Sequence, residues 1–333
     1  GCIGLSTQDS MRLYVDDKLL IDGWGKDKSA DQALDFHFEA GRTYKIRIEF
    51  VNDRRGARVI FGYSAGRENF PAAVEAARKA DVAILCMGDN EETSGENFDR
   101  TDLNLPGRQL ELVQAVYATG TPVVLVLQSG RPVTANWEND HLPAILEAWF
   151  PGEQGGTAIA KTLFGDAAPG GRLPITFPRS VGQIPCHYSR RPGGGKRYVE
   201  MDWLPLYPFG YGLTYTTFAY RDMALSRSVI DPQDTVTVSV TVTNTGKYTG
   251  DAVPQLYVRD MFSSVVKPER QLAAFRRLTL APGESRRVEL TVGPKQLRTL
   301  GPDYVWRVEP GKFELQLGDN AENILLRADL TVE

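Results

Sequence analysis

Apolar positions change their period twice along the 333 residues. Up to about residue 64 they alternate with polar ones, the two-residue period of half-buried strands. "MRLYVDDKLLID" holds two short alternating runs around Asp16 and Asp17, which predicts a hairpin. "ALDFHFEAGRTYKIRIEFVND" alternates, pauses at Gly41 and alternates again, and "ARVIFGYS" supplies another strand. A jelly-roll or sandwich is the natural class for this part.

The period then lengthens. Residues 71–80 place Ala and Val at helical spacing behind Pro71, a residue suited to a first helical position. "DVAILCMG" is a continuous apolar run with polar flanks, the pattern of a strand buried on both faces of a parallel sheet. The unit repeats: "GRQLELVQAVYATG" predicts a helix ending at Gly120, and "TPVVLVLQSG" a second buried strand. "LPAILEAWFPG" predicts a short strand, "EQGGTAIAKTLFG" a helix and "GRLPITFP" a last strand. Alternating βα units over residues 65–215 imply an open α/β sheet with ligands at the carboxyl ends of its strands. Residues 178–215 read as loop, rich in Gly, Pro and Tyr. From 216 to 333 alternation returns, as in "DTVTVSVTVTNTG" and "ILLRADLTV", and predicts an immunoglobulin-like or fibronectin-like sandwich. The fold class is therefore multidomain α/β plus all-β, in three parts.

Composition narrows the function classes. A net charge of −4 and a pI near 5.6 leave no electrostatic footprint for nucleic acid. No run approaches the ~18–20 apolar residues that span a bilayer, so no membrane partner is expected. Cys2, Cys86 and Cys186 are odd in number and widely separated, which suggests neither a disulfide framework nor a zinc knuckle. His37, His141 and His187 are scattered. No metal or organic cofactor is implied. "RPGGGKRY" lacks both G-x-x-x-x-G-K-[ST] and a preceding strand, so its likeness to a phosphate loop is superficial. The N-terminal "GCIGLSTQDSMRLYVDD" has no initiator Met and no apolar signal core. No N-x-S/T acceptor occurs, which counts against a glycosylated secretory protein.

The densest chemistry follows the first buried strand. From Asp89 to Asp99, "DNEETSGENFD" carries five carboxylates and no base, and Arg100 comes next. A calcium loop needs Gly at its sixth position and Glu at its twelfth; counted from Asp89, those positions are Ser94 and Arg100. Calcium is excluded. A solvated acidic loop and a general acid/base carboxyl at a strand end both remain open on physical grounds.

"SGENFDRTDLNLPGRQLELVQAV" resembles the loop-and-helix segment of glycoside hydrolase family 3, where a Glu precedes an Asp-Arg pair and an LPG-x-Q helix start. The resemblance runs on through "PVVLVLQSGRPV", "ILEAWFPGEQGGTAIAKTLFGDAAPGGRLPITFP" and "YPFGYGLTYTTF", in order, and covers about residues 80–333. Residues 9–63 resemble the second half of a protective-antigen-like β-sandwich inserted in some β-glucosidases of this family. The final hundred residues resemble its fibronectin type III-like domain.

The resemblance implies that Glu96 is the acid/base, with Glu92 and Glu91 as fallbacks, and that Asp99 and Arg100 organise the loop. Asn97 stands where the family has Gly, and Asn tolerates left-handed backbone better than most residues. Trp149, Phe150 and Trp24 are candidate sugar contacts. The family's nucleophilic Asp lies on a TIM-barrel domain that nothing in these 333 residues resembles. The chain is thus expected to be the C-terminal piece of a longer enzyme, cut in an exposed loop and bound to its N-terminal barrel piece, the complete enzyme forming a homo-oligomer. The implied activity is that of a retaining exo-acting β-glucosidase on β-glucosides or oligosaccharides. A β-xylosidase, or a non-catalytic carbohydrate-binding or scaffolding protein, is the alternative. The compartment leans towards bacterial periplasmic or secreted.

Overall fold

Alternation in the first residues becomes antiparallel pairing in the computed structural model, which describes residues 1–7, 10–25, 30–51, 59–64, 70–193 and 198–333. The chain divides into two units, Gly1–Ala76 and Ala77–Glu333. In the first, β1 (Cys2–Thr7) lies between β4 (Ala30–Asp35) and β6 (Val59–Ser64), and β2 (Met11–Val15) between β3 (Lys18–Asp22) and β5 (Ile46–Phe50). Every second residue of β1 and β2 points inward, so Ile3, Leu5, Met11, Leu13 and Val15 form one core with Ile21. Full burial of such side chains contributes about 1.5–3 kcal/mol each. The predicted hairpin closes at Asp16 and Asp17, both at positive φ (50° and 63°), as a two-residue turn matched to strand twist requires.

The second unit begins within α1 (Pro71–Arg78) and continues with the α/β sheet. β7 (Ala83–Gly88), β8 (Val123–Gln128) and β9 (Ala144–Glu147) pair in parallel, in that order. β8, central and flanked on both sides, is the most buried, with Val123, Leu125, Val126 and Leu127 all at 2% exposure or less. The crossovers carry α2 (Gln109–Tyr117) and α3 (Asn136–His141), and α4 (Gly155–Leu163) follows β9. α3 went unanticipated: "NWENDH" is too short and polar to show a helical period.

One expected strand is absent. "GRLPITFP" is irregular, because Pro174 and Pro178 have no N–H to give a ladder. The segment bonds instead to residues 206–211: Phe177 N–H donates to the Tyr207 carbonyl (2.9 Å), and Gly210 N–H to that of Leu173 (2.8 Å).

Beyond Thr217 the chain builds a β-sandwich. Phe218–Leu225, Val236–Asn244 and Ser285–Val292 form one sheet. The other orders Val229–Ile230, Ile324–Val332, Gly311–Gly318, Gln255–Asp260 and Gln271–Phe275. Strict alternation puts Val236, Val238, Val240 and Val242 at 0% exposure in the shared core, with Leu256 and Leu315. The structure is mostly β with few helices, an α/β sheet followed by a sandwich. The anticipated border at residue 65 and the tip of "RPGGGKRY" (194–197) lie outside the described residues. Among the described residues no helix is long and apolar enough to cross a membrane.

Candidate active site

The acidic loop leaves the sheet at the carboxyl end of β7, and its first residues are fastened hard. Gly88 sits at φ 140°, where an added Cβ would lie 2.0 Å from the Gln128 carbonyl oxygen. Only glycine fits so close to β8. The Gln109 amide at the start of α2 grips the same residue twice: Gly88 N–H donates to Gln109 Oε1 (2.7 Å) and Gln109 Nε2 to the Gly88 carbonyl (2.8 Å). Asp89 N–H donates to the Gln128 carbonyl at 2.9 Å.

Asp89 is the hub. Its side chain is 3% exposed and faces two guanidinium groups, Arg100 Nη1 at 3.4 Å and Arg131 Nε at 3.7 Å. Thr93 Oγ1 donates to Asp89 Oδ1 at 2.9 Å. A carboxylate this buried is tolerable because it is paired and hydrogen-bonded. Arg100 also reaches Asp102 (3.2 Å) and the Asn104 carbonyl (3.0 Å). Arg131, just beyond the end of β8, donates to the carbonyls of Thr93 (3.2 Å) and Phe98 (3.3 Å). One arginine therefore holds the loop from within and the other from the next strand.

Between Thr93 and Phe98 the loop turns twice. Ser94 N–H donates to the Asn90 carbonyl (3.0 Å) and Phe98 N–H to that of Gly95 (3.2 Å). The second turn has Glu96 and Asn97 as its central residues, with Asn97 at φ 65°. A turn with positive φ at its third residue wants Gly or Asn there. That is the physical reason Asn can stand in the family's glycine position. Glu96 is exposed at the tip. Both nearby arginines are engaged by Asp89 and by loop carbonyls, and no ion pair of Glu96 is recorded among the described residues.

The other anticipated residues fall as follows. Glu91 and Glu92 are exposed in the turn before. Asp99 is exposed, and Arg100 pairs with Asp89 and Asp102 instead of with it. Phe150 is 56% exposed, and its ring and Ser94 both come close to Gly130: a Cβ there would lie 2.7 Å from Phe150 Cε2 and 3.1 Å from Ser94 Oγ. Trp149 is half-buried at φ 53° and packs edge-on against Phe177 (5.8 Å). Trp24 belongs to the first unit, where the Arg12 guanidinium lies 4.8 Å over its ring.

Sequence reasoning missed Asp89 and Arg131 as clamp residues, and Glu147. The available signal was position alone, each standing at or just past the end of a buried strand. Glu147 Oε1 accepts the Trp149 N–H at 2.9 Å, and its Oε2 is buried without a partner. Burial pushes this carboxyl up to about 7. Among the described residues no cluster of His, Cys, Asp and Glu gathers in metal-binding geometry.

Comparison with known proteins gives the frame for this geometry. Residues 8–215 match the glycosyl hydrolase family 3 C-terminal domain, and residues 252–321 a fibronectin type III-like domain. A β-xylosidase of Formosa agariphila is 45% identical over 87% of the chain, and a periplasmic β-glucosidase of Salmonella typhimurium 42% identical over 76%. The chain spans 42% and 34% of their respective lengths. Among solved structures, a β-glucosidase from Erythrobacter marinus superposes with a TM-score of 0.76 at 41% identity, covering 79% of this chain and 36% of that one.

Proposed function

The chain belongs to glycoside hydrolase family 3, and from that premise we propose that it supplies the general acid/base, Glu96, of a retaining β-glycosidase. The observation that carries this is the exposed carboxyl of Glu96, with no ion pair among the described residues, at the tip of a loop whose arginines are both taken by Asp89. A carboxyl locked into a salt bridge could not pass a proton in both directions. In the first step Glu96 protonates the departing glycosidic oxygen as an Asp nucleophile attacks the anomeric carbon. In the second, its carboxylate takes a proton from water, which attacks the same carbon and frees the Asp. The nucleophile would come from the part of such enzymes that this chain does not cover. Asp89, Arg100 and Arg131 fix the loop, and Trp149 and Phe150 form an aromatic edge beside it.

The substrate is a β-glucoside. A β-xyloside is the second reading, favoured by the 45% identity to a β-xylosidase. Residues 1–64 are read as part of a protective-antigen-like insert, supported by their two three-stranded sheets. The chain is read as seated against a barrel segment in the complete enzyme. The test is Glu96→Ala in the complete enzyme, assayed on an aryl β-glucoside with and without azide. Turnover should fall by about 10²–10⁴-fold, partly restored by azide, which attacks the glycosyl-enzyme without needing a base. Unchanged turnover refutes the assignment.

A further inference from the structure

At the far end of α4 the second unit opens a cleft of about 880 Å³, inside the roughly 300–1,000 Å³ range of small-molecule sites. Phe164 and Asp166 line it from the end of α4, Tyr215 from the connection to the sandwich, and Tyr248, Asp251 and Thr279 from the sandwich itself. α4 starts just past the carboxyl end of β9 and runs nine residues away from it, about 13 Å at 1.5 Å per residue. No residue of the Glu96 loop lines the cleft.

Its rings are unusually open. Phe164 is 77% exposed, Tyr248 63% and Tyr215 44%. Single exposed aromatics need no explanation, but three in one cleft form a patch of the kind that marks binding. They are also positioned. The Tyr215 hydroxyl donates to the Thr162 carbonyl at 2.5 Å, which ties that residue to α4. The Asp251 carboxylate is held by Thr279 Oγ1 and Arg277 Nε, each at 2.6 Å. Asp166 is exposed, with no ion pair recorded among the described residues.

We propose that this cleft binds a neutral oligosaccharide chain. A pyranose ring has an apolar C–H face, which lies on an aromatic ring, and a hydroxyl rim. The rim hydroxyls donate to carboxylates and exchange bonds with threonine hydroxyls. Phe164, Tyr215 and Tyr248 supply the platforms; Asp166, Asp251 and Thr279 supply the acceptors. Asp166 repels uronic or sulfated glycans, and the Asp251–Arg277 pair is neutral as a whole, so the cleft selects against acidic chains. A glycan held here keeps its ends at high local concentration near the same molecule's loop. The proposal shares the glycan class with the reading above but none of its residues.

The test is native gel electrophoresis of the complete enzyme through hydroxyethylcellulose, arabinoxylan and polygalacturonate. Retardation is expected in at least one neutral glycan and not in polygalacturonate. The double variant Phe164→Ala/Tyr248→Ala should bind about ten-fold more weakly, with its melting temperature unchanged. Asp166→Lys, which leaves the rings in place, should weaken binding too and decides the matter if the double variant unfolds. Glu96→Gln should be retarded like wild type, so this proposal survives a failure of the acid/base assignment. No retardation in either neutral glycan, equal retardation in polygalacturonate, or wild-type retardation of both cleft variants overturns it.

Discussion

Glu147→Gln isolates one buried charge. In wild type the carboxyl sits at the end of β9 with Oε1 bonded to the Trp149 N–H and Oε2 buried without a partner. Burial pushes its pKa from 4.5 up to about 7. Between those values the folded chain keeps a proton that the unfolded chain has released. Stability from this group is therefore complete below pH 4.5 and is lost as pH rises through 7. At 1.36 kcal/mol per pH unit, the interval amounts to about 3 kcal/mol. Gln has the same shape, keeps the acceptor for Trp149 and cannot ionise.

The assay is urea unfolding of both proteins, followed by tryptophan fluorescence, at intervals from pH 5 to pH 8.5. Every other titrating group is common to the two, so it cancels in their difference. The variant should be more stable than wild type by less than about 1 kcal/mol near pH 5 and by up to about 3 kcal/mol at pH 8.5. Parallel curves across the range would show that water reaches the carboxyl, and would refute the account of its burial.

Substitutions at three further positions probe the loop. Asp89→Asn leaves two guanidiniums facing a neutral amide and should destabilise the second unit by about 3 kcal/mol, measured by urea unfolding, with activity of the complete enzyme reduced in step. Gly130→Ala places a Cβ against the Phe150 ring and Ser94, so steady-state kinetics should show a raised KM with kcat largely kept. Asn97→Gly should retain wild-type activity, whereas Asn97→Val, forced to φ near 65°, should strain the turn by about 1–3 kcal/mol and lower kcat. Equal kcat for the two Asn97 variants would sink the argument from the turn.

Where the hydrophobic period was strong, elements were legible almost to their ends. β7 and β8 are apolar runs that needed no tertiary information, and α2 stops at Tyr117, shortly before Gly120 at φ 82°. "GRLPITFP" failed because its apolar residues match a strand while its prolines cannot serve a ladder. The acidic loop was legible as a place and not as a mechanism. Charge density and position after a buried strand pointed there, but the choice of Glu96 among five acids came from a family resemblance. The Asp89–Arg131 contact joins residues beyond the ends of two different strands. Nothing in local sequence announces such a pair, because parallel pairing alone brings those strand ends together.

The two carboxyls at the strand ends show why a perturbed titration is a poor guide here. Glu147, pushed up to about 7 at the end of a strand, is what a search for shifted acids would nominate. Its surroundings argue against it: one oxygen is occupied by the Trp149 backbone, and the other is sealed from water and from any donor. A general acid/base must meet the leaving oxygen in one step and water in the next, so it needs access more than a standing shift. Glu96 has that access, on a short turn whose base is immobilised by Asp89, Arg100 and Arg131. The division of labour is testable in one pair of variants. Glu147→Gln should leave turnover largely intact while flattening the pH dependence of stability, and Glu96→Gln should do the reverse.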